Sequence, residues 1–527
     1  MNRRNFLRTS GALSLPALLS SGVAADPAGF FTQFINEDSD RVLVLIQLSG
    51  GNDGLNTLIG LDQLDNLRQV RENVALSAAN TLTLTPTTAL HGKMTGMKAM
   101  YDDGLLGIVQ SVGYPNQNRS HFRSTDIWTS GSEAGVAETS GWMGRYLELE
   151  HGNYPEGYPN PTFDYPLAMT MGNVVSATCQ GSLANLSVVV NNPFNFRYIA
   201  PGGNTPLPDN HYGEEVEYVR TLISQSNQYG TIVQDAANAG NTLVTTYTDG
   251  RLSDQLRNIA TLISGGLKTK VYVATLGGFD THFGQTEGGD NLGGRHGILM
   301  EELSGAIKAF TDDLKALGIA ERVLGLTFSE FGRRIRSNDS GGTDHGDAGP
   351  LFLFGNCAQG GILGDNPEID TAVEQHTGVP FQYDFRDVYG SVLVDWFDVP
   401  EPTVQTLFGN SFVHLPIAGA CNTTTSNTPT EPPNSSRQGG WVVGLPRPNP
   451  VTADSYVKVY APNDGNVSTE LIDINGRRLR TGTVNLIGRR DNRIPLRADG
   501  LPAGTYSWRM RTEDGQQIVR KVIVVGF

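Results

Sequence analysis

Three cysteines in 527 residues, Cys179, Cys357 and Cys421, stand far apart and form no Cys-x-x-Cys pair or Cys/His cluster. That spacing argues against a thiolate zinc site. One disulfide with a thiol left over and three unlinked thiols both remain open. No apolar run reaches the roughly 20 residues needed to cross a bilayer as a helix, so no membrane span is expected. Positive charge is scarce, with 39 Lys and Arg against 54 Asp and Glu and a net charge of −15. It is also concentrated at the two ends. The stretch from Trp441 onward carries 13 bases against 8 acids, and the first 25 residues carry three arginines and no acid, leaving −23 for residues 26–440. A body that acidic repels polyphosphate, which excludes nucleic acid as a partner, and it suits divalent cations. No internal repeat and no Gly-x-Ser-x-Gly elbow are present; the latter argues against an α/β-hydrolase type of esterase.

The remaining sequence divides readily. Residues 1–25 contain Asn2-Arg-Arg-Asn-Phe-Leu-Arg8, a short apolar stretch and the small residues Val23-Ala-Ala25, and resemble a twin-arginine signal peptide. Residues 421–440 are rich in Thr, Pro and Ser, bury almost nothing and are expected to form a linker. Beyond them, alternating runs such as Tyr456–Tyr460 and Ser468–Ile474 are punctuated by Asn475-Gly476 and Asp514-Gly515, the signature of hairpins in a small β-sandwich over 441–527. Between leader and linker, residues 26–420 alternate apolar runs with helical periodicity. The runs at 42–46, 105–112, 271–276 and 323–328 read as buried strands. A stripe of Ile298, Leu299, Leu303, Ile307, Phe310, Leu314 and Leu317 reads as an amphipathic helix. This predicts an α/β domain built on a mostly parallel sheet with helices on both faces. Residues 150–250, rich in Asn, Gly and Pro, read as an insertion or lid with no assigned place.

Chemistry-bearing residues follow the ends of these strands. Asp53 lies in Ser49-Gly-Gly-Asn-Asp-Gly54, Asp280 and His282 follow the run at 271–276, and Asp344-His345 sits in a glycine-flanked turn after 323–328. Carboxylates and imidazoles at strand C-termini are what a metal-assisted hydrolytic site requires. After the run at 105–112 comes Asn118-Arg-Ser-His-Phe-Arg123. Ser120 there is expected at a helix start, where free N–H groups favour an anion, with Arg119 and Arg123 beside it and His121 facing the pocket. Glu330 and Arg333 read either as a structural ion pair or as pocket lining.

The stretches Gln47–Asn56, Asn118–Trp128, Gly277–His282, Ser329–Arg333 and Gly342–Gly346 resemble the exported bacterial family called domain of unknown function 1501, itself similar to the alkaline phosphatase and sulfatase superfamily. The resemblance implies an alkaline-phosphatase-like α/β fold. It implies Ser120 as nucleophile, with Arg119 and His121 in the catalytic set, and Asp53, Asp280, His282, Asp344 and His345 as ligands of a divalent metal: Zn, Mn, Ca or Mg. The family pattern departs in two places: Asp280 and His282 are two apart rather than four, and only His376 offers itself as a final histidine. Pro448-Asn-Pro450, Leu471–Arg477 and Leu501–Tyr506 resemble the C-terminal sorting domain of type IX secretion. That implies recognition by the export machinery and a route through the periplasm to the cell surface or beyond. The expected function is an exported metal-dependent hydrolase of phosphate or sulfate esters acting on a small-molecule or glycan ester. The alternative is a non-catalytic relative that binds a glycan or envelope component.

Overall fold

The computed structural model describes residues 40–419 and 436–524, except 153, 196–206, 209, 245–246, 288–290, 410–411, 439–440, 448–454, 462, 474–476, 488–490, 498–499, 503 and 513–516. The expected leader and most of the expected linker therefore lie outside the described residues. The chain forms two compact units, divided between Thr423 and Thr424.

The strands and helices of the first unit that bear on function follow one another in this order. Strand β1 (Val42–Ser49) and β2 (Leu106–Gly113) come first, then α1 (His121–Ser130), α2 (Trp142–Glu150), β3 (Ala168–Met171) and β4 (Ser187–Val190). Next are α3 (His211–Ala239), α4 (Arg251–Ser264), β5 (Val271–Gly277), α5 (Gly294–Ala316) and β6 (Val323–Phe328). The hairpin strands β7 (Arg333–Ser337) and β8 (Thr343–His345), then β9 (Gly349–Phe354), β10 (Gly361–Leu363), β11 (Tyr383–Asp384) and α6 (Phe385–Phe397) complete the set.

Nine strands make the main sheet, ordered β10-β2-β9-β6-β1-β5-β3-β4, with β11 also paired to β2. Every pairing is parallel except those of β9, which runs antiparallel between β2 and β6. The expected mostly parallel α/β sheet is what forms. Its central strand shows why the sequence folds so. In β1, Val42, Val44, Ile46 and Leu48 enter one core with α4 and α5, while Leu43 and Leu45 enter the other with α2 and α6. A strand covered on both faces reads as a continuous apolar run, not an alternating one. Because β9 is reversed, its N-terminal end lies at the same rim as the C-terminal ends of β1, β2, β5 and β6. Asp344 and His345, just before β9, are thereby carried to that rim.

Two expectations need correcting. Residues 150–250 are not a separate insertion: they supply β3 and β4 of the main sheet and the 29-residue helix α3. In α5 the expected stripe is buried at Leu299, Leu303, Ile307, Phe310 and Leu314, but Ile298 is exposed.

In the second unit, two four-stranded antiparallel sheets enclose a core of Val457, Val459 and Ile494 from one and Leu471, Trp508, Met510 and Val522 from the other. The expected sandwich is present, and the strands on either side of each hairpin signal pair antiparallel. Ser436–Gln438, within the segment read as linker, already pairs with Trp441–Val443. Cys357 is disulfide-bonded and Cys179 is free and buried; Cys421 lies outside the described residues.

Three buried histidines give the first unit a defined response to acid. Burial pushes His151 down to about 4, with the Lys270 charge adding to it. It likewise pushes His296 down to about 4 and His91 down to about 3. Each stays neutral in the fold but binds a proton in the unfolded chain below its ordinary value near 6.5, so stability is full above that value and is lost as pH falls toward 4. One such histidine is worth on the order of 3 kcal/mol. Denaturant unfolding from pH 7 to 4 is expected to show this loss, and His151→Gln to show a shallower slope by up to one proton. An identical slope in wild type and variant would refute the assignment.

Candidate metal centre

The rim is drawn together by backbone and by one buried arginine. Gly50 has φ +121°, and a Cβ there would strike the backbone of Phe279 and Asp280, so glycine is what allows the β1 and β5 turns to touch. Arg333, 1% exposed, donates to the carbonyls of Gly50, Gly51, Phe279 and Thr343 and to Asp280 Oδ1 at 2.9 Å. A rigid five-donor fork is the side chain suited to tying three chain segments at one point. The β7–β8 hairpin, with Arg333 opposite His345, then places its last residues over the Asp280 turn.

Four side chains converge there. Asp280 Oδ1 lies 3.1 Å from His282 Nε2, 3.3 Å from His345 Nε2 and 3.5 Å from His121 Nε2. The Nε2 atoms of His282 and His345 are 2.9 Å apart. One ligand atom each from His121, Asp280 and His345 also fall within 4.8 Å of one another. Each imidazole is gripped from behind by an oxygen. His121 Nδ1 meets Glu330 Oε1 at 3.0 Å, His282 Nδ1 meets Asp344 Oδ1 at 2.9 Å, and His345 Nδ1 meets the Arg119 carbonyl at 2.8 Å. A carbonyl or carboxylate oxygen accepts and cannot donate, so all three rings carry their proton on Nδ1. Three Nε2 lone pairs and a carboxylate therefore face one another, an arrangement that repels itself unless a cation lies between. The residues present thus fit a divalent metal.

The electrostatics agree. Burial raises the Asp280 carboxyl, but the Arg333 hydrogen bond and charge, with His282, more than offset it and hold Asp280 below the usual carboxylate range. Asp344 behaves alike: burial raises it, while Asn338, His282 and Arg334 bring it lower. Burial and the Arg333 charge push His345 down, keeping its ring neutral.

Of the expected ligands, Asp280, His282 and His345 meet at the centre. Asp344 arrives from outside: one oxygen holds His282 and the other Arg334 at 3.0 Å. Asp53 does not reach the cluster. Its carboxylate is fully buried against Arg71 Nη1, at 2.9 and 2.8 Å, and accepts Gln285 Nε2 at 2.5 Å. The His376 ring is not in the group, and that residue offers only its carbonyl, to Arg119. Arg119 makes a two-pronged pair with Asp347 at 2.8 and 2.6 Å, and Arg123 holds the carbonyls of Glu133, Ala134 and Val136. All three guanidinium nitrogens of Arg119 are thus engaged, whereas the Arg123 bonds come from Nη2 alone. His121, read as facing the pocket, contributes a ring nitrogen to it. Glu330 pairs not with Arg333 but with His121 and the Gly50 N–H at 2.7 Å. Ser120 is exposed at the N-cap of α1 with its hydroxyl making no capping bond. It stands between Arg119, whose carbonyl holds His345, and His121.

Fold and site together define an α/β unit with three histidines and one aspartate converging at its rim, and a separate β-sandwich unit. Residues 228–384 match the family model described as protein of unknown function (DUF1501), and residues 448–525 match the secretion system C-terminal sorting domain. No curated protein matches the chain. Among solved structures, the chain is similar to a protein in the alkaline phosphatase superfamily from Vibrio parahaemolyticus, at 10% identity over 95% of this chain and 92% of that one, with a TM-score of 0.31. It is also similar to the lipoteichoic acid synthase LtaP from Listeria monocytogenes, at 9% identity over 87% and 93%, TM-score 0.25. A third is the phosphonate monoester hydrolase SpPMH from Silicibacter pomeroyi, at 8% identity over 85% and 89%, TM-score 0.27. No helix among the described residues is long and apolar enough to cross a membrane.

Proposed function

We propose that the protein is an exported, divalent-metal-dependent hydrolase of phosphate or sulfate esters, with Ser120 as nucleophile and the sorting domain as its export tag. The observation that carries this reading is the convergence of three imidazole lone pairs and Asp280 beside Arg119-Ser120-His121. A bound divalent cation lowers the pKa of a hydroxyl or water and neutralises ester oxygens. The chain's own residues do the rest. The first N–H groups of α1 face an incoming anion with the positive end of the helix. Ser120, with its hydroxyl not spent on capping, is available to attack the phosphorus or sulfur, forming a seryl ester as the substrate's ester bond breaks and its alcohol leaves; water then hydrolyses the seryl ester to release phosphate or sulfate. Asp344, Glu330 and the Arg119 carbonyl hold the three rings in fixed orientation. The substrate is a small-molecule or glycan ester; the pocket's chemistry requires only a tetrahedral anionic ester group.

The test is a panel of aryl phosphate and sulfate esters assayed on metal-supplemented wild type and on Ser120→Ala. Turnover is expected to fall at least a thousandfold in the variant, with bound metal unchanged. A metal-loaded wild type that turns over no ester would favour the binding protein instead. Full activity in Ser120→Ala would remove the serine from the mechanism.

A further inference from the structure

We infer that the centre takes a single zinc-class transition-metal ion rather than calcium or magnesium, held by His121, His282, His345 and Asp280, with Glu330 and Asp344 as positioning residues. The inference rests on the reading that the cluster binds a cation and goes on to say which kind, how many and what holds the ligands.

The donor count decides the kind. Calcium takes 6–8 oxygen ligands and magnesium an octahedron of oxygens, whereas imidazole nitrogen suits zinc and its neighbours. Here three nitrogens face the centre, and Asp280 is the carboxylate beside them. The other acids nearby are spoken for: Asp344 by His282 and Arg334, Asp53 by Arg71 and Gln285, and Asp347 by Arg119. Glu330 keeps one buried oxygen, Oε2, without a partner, but its carboxylate sits on the Nδ1 side of His121, opposite the ring atom that faces Asp280. The number follows from the same facts. Asp53, the acid that a second ion would need at the neighbouring strand end, is sealed in its pair with Arg71.

Glu330 has a particular task. Helix α1 delivers His121 on its first residue, and Glu330 Oε1, 3.0 Å from the ring's Nδ1, fixes the proton there. Because Glu330 Oε1 also accepts the Gly50 N–H, the carboxylate is itself pinned, and His121 is presented with Nε2 bare. An outer acceptor of this kind is worth 10–100-fold in metal affinity.

The experiment uses the full chain, stripped of metal and titrated with Zn²⁺, Mn²⁺, Ca²⁺ and Mg²⁺ by calorimetry, with native mass spectrometry for stoichiometry. One Zn²⁺ per chain is expected, bound at least a hundredfold more tightly than Ca²⁺ or Mg²⁺. In Glu330→Gln the amide oxygen can keep both hydrogen bonds, so Zn²⁺ affinity should stay within a few fold; in Glu330→Leu it should fall 10–100-fold. Nitrogen-15 spectra of the zinc-loaded wild type should show all three rings protonated at Nδ1 with Nε2 unprotonated, a readout that needs no variant to fold. Calcium or magnesium binding as tightly as zinc, two ions per chain, or an Nε2–H form of His121 would each overturn the inference. Absence of ester turnover in the zinc-loaded protein would leave it standing and remove only the hydrolase reading.

Discussion

Asp280→Ala is expected to empty the metal centre while leaving the fold in place. Its Oδ1 is the carboxylate oxygen within 3.5 Å of all three Nε2 atoms, so its removal deletes the anionic ligand and leaves neutral imidazoles. Cation affinity should drop at least a hundredfold, roughly 3 kcal/mol, measured by calorimetry. Stability should change by no more than about 1 kcal/mol, since the residue is about half exposed and surface changes of this kind are mild. Arg333, which loses one partner, keeps four backbone carbonyls. Asp344→Ala makes the contrasting case. It touches the centre only through His282, so its loss should cost 10–100-fold. If Asp344→Ala emptied the site as completely as Asp280→Ala, Asp344 would be a direct ligand and the division of roles drawn here would be wrong.

That division marks the limit of what sequence reading reached. The sheet was legible because its central strands are buried on both faces and therefore spell continuous apolar runs. Asp280, His282 and His345 were legible for a related reason: each follows or closes a segment that such a run delivers to the rim. Residues 168–190 were not, because two four-residue strands at one end of the sheet carry too short a pattern to stand out from Asn/Gly-rich loop. His121 was read as pocket-facing but not as a ligand, since the ligand geometry depends on a ring 3.0 Å from Glu330, 209 positions away. Arg119 was misread for the same reason. An arginine beside a serine at a helix start looks like an anion clamp until Asp347 is seen to occupy it. The one signal that favoured a role for Glu330 was its place just after a buried strand, shared with Asp280 and His282 after β5.

Asp53 shows the same limit and leads to the largest stability effect. A Gly-Asn-Asp-Gly turn after β1 gives no hint that Arg71, the C-cap residue of the short helix Leu64–Val70, will bury its guanidinium against that acid. Both side chains are fully buried. Burial alone would raise the Asp53 carboxyl, but the Arg71 charge and the Arg71 and Gln285 hydrogen bonds bring it below the ordinary range. Removing one partner from such a pair leaves an uncompensated buried charge, which costs about 3–5 kcal/mol. Asp53→Ala should therefore lower the unfolding free energy of the first unit by that amount. Zinc stoichiometry, measured on the folded fraction, should stay at the wild-type value. The double variant Asp53→Leu/Arg71→Met should recover most of the loss, because an apolar pair of similar volume removes both desolvation costs. Arg71 also donates to the Ile335 and Arg334 carbonyls, so recovery should stop short of complete. Were Asp53→Ala instead to lose its cation without losing stability, Asp53 would be the ligand that the strand-end pattern first suggested, and the ion pair with Arg71 would be what the metal displaces.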